Sequence, residues 1–472
     1  MSVVCDVLPQ YVTVNHGPHQ THTVTDDTTS RAVSSRRRGF LALCGAAAVA
    51  GCASGSGRST VADVATSEPT GTASATETAT PDPTPTETLD LGSPGAWPMA
   101  GYDARNTGYN PDADGPTTAP SDGWQADVDG YNTMAAGAFH DDELFLGSGN
   151  EAYGFDPRDG YPDWTVELEF LPHFTAPAVA TVGGQTTNFL ATRSRQGAIR
   201  GGGEGRLLAL APSGERRWTF DAPLSGSATP VDGRVYVPAT TEARGALYAL
   251  DPADGTRSWR YEPTAAEPRT PVFAAPAVTD DAVYLPVTRV DGETARAELQ
   301  VLAPDDGGLR RRSPSLPGEL RARPVVDTGG TAYAATRAGT VAAVDDGVAW
   351  RATLDGEIWS TPALVDDTLY VLADAQLVAL DTADGSRRWA TTLPPLRGSE
   401  LATDGETLFV GGNYLTAVAT ADGSQRWQQP IPGGNAGGWG SPIVVGSALA
   451  VGVCVKNGDN GGLYDDKMSL RV

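Results

Sequence analysis

Trp359-Ser360-Thr361-Pro362-Ala363-Leu364-Val365-Asp366-Asp367-Thr368-Leu369-Tyr370-Val371, continued through Leu377-Val378-Ala379-Leu380-Asp381-Thr382-Ala383-Asp384-Gly385-Ser386 to Arg388-Trp389, reads as four short strands. The Pro-Ala-Leu-Val run is followed by an Asp-Asp turn and an alternating Leu-Tyr-Val strand. Leu-Val-Ala-Leu-Asp comes next, then a hairpin at Asp384-Gly385, then a strand ending in tryptophan. Asp-Gly supplies the positive-φ residues that a tight hairpin needs.

The theme recurs along the chain. Trp124, Trp164, Trp218, Trp259, Trp350, Trp389 and Trp427 mark it, and a copy between Trp259 and Trp350 ends in Arg310-Arg311-Arg312. Spacings of roughly 40 residues match the period of a propeller blade. The first strands recur as Ala176-Pro177-Ala178-Val179, Thr229-Pro230-Val231, Ala275-Pro276-Ala277-Val278, Arg323-Pro324-Val325 and Ser441-Pro442-Ile443-Val444. Two longer intervals hold insertions around Thr181–Gly205 and Arg289–Ala297. The last repeat, Trp439 to Val472, lacks a Trp-bearing strand, and the segment ending at Trp124 has that strand without the other three. Joining them completes a blade from both chain ends and removes two exposed edges. The expected fold is all-β: an eight-bladed propeller of four-stranded antiparallel blades.

The Ala-Leu-Asp, Asp-Gly and Trp spacing resembles the PQQ-like β-propeller repeat over Trp97 to Val472, and Trp97-Pro98-Met99-Ala100-Gly101-Tyr102-Asp103-Ala104-Arg105-Asn106-Thr107-Gly108 is similar to that family's usual opening. The resemblance fixes the fold more firmly than the job, because such folds host many functions. One branch contains quinoprotein dehydrogenases, which would bring pyrroloquinoline quinone with calcium, a tryptophan floor, a disulfide of neighbouring cysteines and an Asp base. Another contains the scaffold lipoprotein of outer-membrane β-barrel assembly. This chain departs from the enzymes: after Cys52 only Cys454 remains, so no such disulfide can form. The expectation is therefore a non-catalytic binding or scaffold protein with no catalytic, cofactor-binding or metal residue, with the quinoprotein oxidoreductase as the alternative.

Composition bounds the partners. The 472 residues carry 34 Lys+Arg against 58 Asp+Glu, a net charge of −24, and Lys456 and Lys467 are the only lysines. Acid excess with arginine in place of lysine resembles haloarchaeal proteins working in strong brine, where salt screens self-repulsion; an acidic protein from a GC-rich mesophile is the other reading. Nucleic acid is excluded as a partner, since no basic face balances the acid. Arg37-Arg38-Gly39-Phe40-Leu41 matches a twin-arginine export signal. The apolar run from Leu41 to Ala50 is too short to span a bilayer, and it leads into Val49-Ala50-Gly51-Cys52, a lipobox-like end. Residues 1–51 are thus expected to be an N-terminal extension and lipoprotein signal, with Cys52 carrying lipid at the extracellular face of the membrane. Residues 52–95, rich in Ser, Thr and Pro, read as a disordered linker, and 96–472 as the propeller, a monomer of charge −20.

Candidate sites are few. The Asp-rich turns, such as Asp251-Pro252-Ala253-Asp254-Gly255, lack the ligand alternation of a calcium loop and suit hairpins instead. His140, His173 and Cys454 are isolated. Three residues before the first-strand proline, or its equivalent, the blades carry Met134, Phe174, Ser227, Phe273, Arg321, Trp359, Gly398 and Trp439. Large aromatics on alternate blades either fill a tapering ring or line a binding mouth. Both insertions follow second strands and should rise beside that mouth, the first with Arg193, Arg195, Arg200 and Arg206, the second with Arg289 and Arg296. Arginine suits bidentate capture of carboxylates, so the expected partner is a protein or acidic surface polymer. The opposing reading is a solvated loop whose arginines pair with local acids.

Overall fold

The computed structural model describes residues 95–471, leaving out 122, 129–135, 173–174, 195–202, 242–243, 264–268, 395–398, 432–436 and 457–463. Eight antiparallel sheets form an eight-bladed β-propeller with no helix among the described residues. Blade one runs from Ala138 to Glu167, blade two from Ala178 to Asp221, and blade three from Thr229 to Tyr261. Blades four to seven begin at Ala277, Val325, Ala363 and Leu401. Blade eight joins Ile443–Val445, Ala448–Lys456 and Tyr464–Arg471 to Gly123–Val128 from the chain start, with Trp124 opposite Leu470. Closure thus uses both chain ends. The second and third strands are buried between neighbouring blades, as in Thr368–Ala373, whereas the outermost alternates with solvent, as in Arg387–Thr392. That period-2 exposure is what a half-buried strand requires.

The tryptophans do equivalent work. Each indole lies within its outer strand rather than at the strand's end, opposite a small residue of the third strand in Gly154, Ala209, Ala249, Ala343, Ala379 and Ala417. Its face covers the hairpin glycine of the next blade: a Cβ on Gly160, Gly214, Gly255, Gly307, Gly385 or Gly423 would strike Trp124, Trp164, Trp218, Trp259, Trp350 or Trp389. Most of these indoles also donate Nε1–H to a carbonyl of that blade, as Trp218 to Pro252 (2.9 Å), Trp259 to Pro304 (2.8 Å) and Trp389 to Thr420 (2.8 Å). Trp164 differs, giving its proton to the Glu143 carboxylate at 3.0 Å. The Asp-x-x-Asp-Gly turn is therefore a docking platform. Its carboxylates accept backbone N–H groups two residues on (Ala253 to Asp251, Thr256 to Asp254), which is turn chemistry.

The opening segment does something its sequence does not announce. Residues 97–114 lie along the free inner edges of the innermost strands. Phe139 exchanges two bonds with Trp97, and the N–H groups of Val179, Val278, Val326, Leu364 and Thr403 reach Pro98, Ala104, Arg105, Thr107 and Gly108. Asp114 N–H reaches Gly446, in a first hairpin of blade eight. Asn106 is wholly buried and gives Nδ2–H to Pro276 in blade four (3.1 Å) and Pro324 in blade five (3.0 Å). Asn110 does the same for Val444 in blade eight and Ala96. Asn106 holds φ +59°, a left-handed conformation that asparagine tolerates better than most residues. The inner edges of a propeller are unpaired strands, and this segment satisfies them in seven blades.

Candidate binding mouth

The connections after second and fourth strands meet at the other end of the channel. Leu171, in the connection from blade one to blade two, pairs with Arg193 at the end of a second strand (3.2 and 2.9 Å). Farther round, the Arg337 guanidinium, after the second strand of blade five, lies 4.3 Å from the ring centre of Trp359, which enters blade six. Below the rim, hydroxyls tie adjacent blades together. Ala176 N–H donates to Ser227 Oγ, Arg323 N–H to Thr361 Oγ1, and Glu400 N–H to Ser441 Oγ. Arg323 and Glu400 form an ion pair at 3.4 Å between blades five and seven.

The rim itself is an arc of stacked and paired charges. Arg321 lies 3.6 Å from the Phe273 ring centre, and its Nε is 3.0 Å from Glu319. Glu319 also lies 4.0 Å from Arg337, which pairs with Glu357 at 3.1 Å; Glu357 accepts the Trp359 Nε1–H at 3.0 Å. Across the mouth, burial pushes the Arg193 guanidinium down to about 10, and the charge of Arg321 pushes it the same way. Stacking a guanidinium on a ring is worth about 0.5–2 kcal/mol and leaves its in-plane N–H groups free to bond.

Of the expected mouth residues, Phe273, Arg321, Trp359 and Arg193 come together here. Phe174, Arg195, Arg200, Met134, Gly398 and His173 lie outside the described residues, as do Cys52, Arg37 and Arg38. Trp439 is a correction: it is 0% exposed, within Gly437–Trp439, an extra strand paired with Val453–Val455 and bridged to Gly412. It belongs to the core because this strand pairs with the second strand of its own blade and bridges blade seven at Gly412. The second insertion follows a second strand as expected, but its Arg289 is not free for docking. It is a lengthened hairpin, Val283–Asp291 with Thr294–Leu302, turning at Gly292. Arg289, 16% exposed, pairs with the buried Glu298 at 2.9 Å. Arg206 is held by Glu169 and Asp221, both at 2.6 Å. These two arginines are committed locally, as the reading against docking foresaw. Sequence reasoning missed Arg337, Glu319 and Glu357, which carry no motif and become neighbours only through the ring.

The quinoprotein ligand set does not fit the described residues. Cys454, buried in blade eight, is the cysteine among the described residues and forms no disulfide, and no three His, Cys, Asp or Glu side chains group there as a metal ion would require. Phe273 and Trp359 each already carry a guanidinium on a face.

A profile described as outer membrane protein assembly factor BamB matches residues 148–318 and 295–462. Among curated proteins none matches. Similar solved structures include the quinohemoprotein alcohol dehydrogenase ADHIIG from Pseudomonas putida HK5, 13% identical with TM-score 0.62 over 82% of each chain. A europium-containing methanol dehydrogenase is 13% identical, TM-score 0.62, over 81% of this chain and 99% of that one. BamB from Moraxella catarrhalis is 17% identical, TM-score 0.53, over 74% and 98%. At such identities these structures share the fold alone. The profile covers more than half of the sequence, and with the repeat geometry it places the chain in the PQQ-like propeller family described as outer membrane protein assembly factor BamB.

Proposed function

We propose that the chain is an exported, lipid-anchored propeller that binds a protein partner at the cell surface through its open mouth and performs no chemistry of its own. The observation that carries this reading is the rim itself. Among the described residues its rings, Phe273 and Trp359, carry guanidiniums and its acids pair with neighbours, which supports a shaped, charged docking face over a poised acid, base or nucleophile. The family profile, described by an assembly factor of the outer membrane, supports an exported scaffold. The twin-arginine route, with Arg37 and Arg38, and the lipid on Cys52 are part of the proposal. No described helix is long and apolar enough to cross a membrane.

The alternative rests on the dehydrogenase-like fold matches. The test is a pull-down of the full chain from membranes of its own host, together with an absorption spectrum of the purified protein. A stoichiometric protein partner and no quinone band support the scaffold. A quinone band that bleaches with an alcohol substrate overturns it.

A further inference from the structure

Arg321 is unlike the other arginines of the rim. Its guanidinium carbon lies over Phe273, 3.6 Å from the ring centre, and its Nε is fixed by Glu319 at 3.0 Å. Glu319, through Nε, is its one hydrogen-bond and ion-pair partner among the described residues, none of which supplies an acceptor to the two Nη groups. The side chain keeps 25% of its surface exposed, at the mouth. Arg337, by contrast, spends its Nη edge on Glu357. A guanidinium clamped on one face and at one nitrogen has already lost most of its rotamer freedom. It therefore offers a preorganised fork to any carboxylate that arrives in its plane.

We propose that the Nη edge of Arg321 is the seat for a single carboxylate borne by an acidic segment of the partner protein. This rests on the scaffold reading above and names what the mouth recognises. Rim and interior divide the cations clearly. Arg289 is bonded to the buried Glu298 and the mostly buried Arg323 to the half-buried Glu400, so each would give up an existing ion pair to turn to a ligand. On a chain of net charge −24, a local excess of cations is what would draw an acidic segment to this face.

The test uses the full-length protein and a fluorescent Glu/Asp-rich decapeptide, with its Gln/Asn counterpart, followed by anisotropy. The acidic peptide should bind, its counterpart should not, and Arg321→Lys should weaken binding about tenfold, because lysine keeps the charge but loses the fork. Phe273→Leu should fall between them with the fold intact by circular dichroism. Equal affinity for wild type and Arg321→Lys would overturn the seat. So would Arg321-dependent binding of pyrroloquinoline quinone or of a uronic-acid oligomer in place of the peptide. Partner pull-down that survives Arg321→Lys unchanged would sink the seat and leave the scaffold standing.

Discussion

Two seams of this ring solve one problem by different means. Between blades five and six, the Trp350 indole covers Gly385 and its Nε1 donates to Thr382 at 2.7 Å. Between blades four and five the register is the same, but Arg311 stands in the tryptophan's place opposite Val301. There the next blade's turn is Asp345-Asp346-Gly347, and Gly347 has nothing within reach of a Cβ. Arg311 instead makes long ion pairs with Asp345 (4.0 Å) and Asp346 (3.6 Å), both acids being largely exposed. Both seams share a buried apolar core, but at the outer edge one adds an indole with a directed hydrogen bond and the other screened charge. The first mechanism is far stronger per residue. The weaker seam is bridged elsewhere: Tyr284 O–H donates to Gly330 at 3.0 Å, and Asn106 ties Pro276 to Pro324 at the axis. The outer staple is missing where the inner one spans two blades.

The largest expected effect is on the tryptophan seam. Trp350→Ala should cost about 3–5 kcal/mol in denaturant unfolding, the range for a buried indole truncated to a methyl. Gly385→Ala should approach it, because Gly385 holds φ +72° and its new Cβ meets the indole. Gly347→Ala should be neutral or slightly stabilising. If Gly347→Ala proved as costly as Gly385→Ala, the two seams would not differ as described.

Next is the axial staple. Asn106→Ala removes two buried hydrogen bonds and forces alanine into a left-handed conformation, for an expected loss of about 2–3 kcal/mol. Asn110→Ala frees one blade carbonyl, at Val444, next to seams that keep their tryptophans. It should cost less. Equal losses by urea unfolding would show that the inner staple does not compensate for Arg311.

Much of this was legible in the sequence, for a local reason. Blade count and closure follow from tryptophans and Asp-Gly turns, each a short-range signal repeated at a fixed interval. The opening segment was legible only as a family-like entry, because its role consists of hydrogen bonds to residues far along the chain and carries no periodicity. Trp439 misled for the opposite reason. It occupies the same offset from its proline as Trp359, and the extra strand that buries it is visible only in three dimensions. Arg321, Phe273 and Trp359 were found because the offset from the first-strand proline tracks the rim, and Arg193 because it lies in the first insertion, whereas Glu319 and Glu357 lie off that register.

A third seam titrates. Between blades one and two, Trp164 and Asn188 donate to Glu143 at 3.0 and 3.4 Å, and burial raises this carboxyl to about 7, Asp163 adding in the same direction. A folded-state value above the ordinary 4.5 means the proton is held more tightly in the folded protein. The contribution is full below about pH 4.5 and is lost as pH rises through 7. Relative to Glu143→Gln, wild-type stability should therefore decline between pH 5 and 7. Parallel melting curves across that window would remove Glu143 as the titrating group.

The smallest effect belongs to Arg311. Its pairs are long, its acids exposed, and each such contact is worth well under about 1 kcal/mol before salt is added. Arg311→Gln should thus shift the unfolding midpoint barely at low ionic strength and not at all in molar salt, where the screening length falls to about 3 Å. Paired with Asn106→Ala, however, it should cost more than the two single changes together, because either staple alone still holds blades four and five in register. A double-mutant cycle on Arg311 and Asn106 measures this, with Arg311 and Asn110 as the control pair. Coupling confined to the first pair would mean the seam is carried jointly from rim and axis. Strict additivity in both would mean that Tyr284 and the apolar core between the blades suffice, and that the ring tolerates a missing tryptophan without any help from its opening segment.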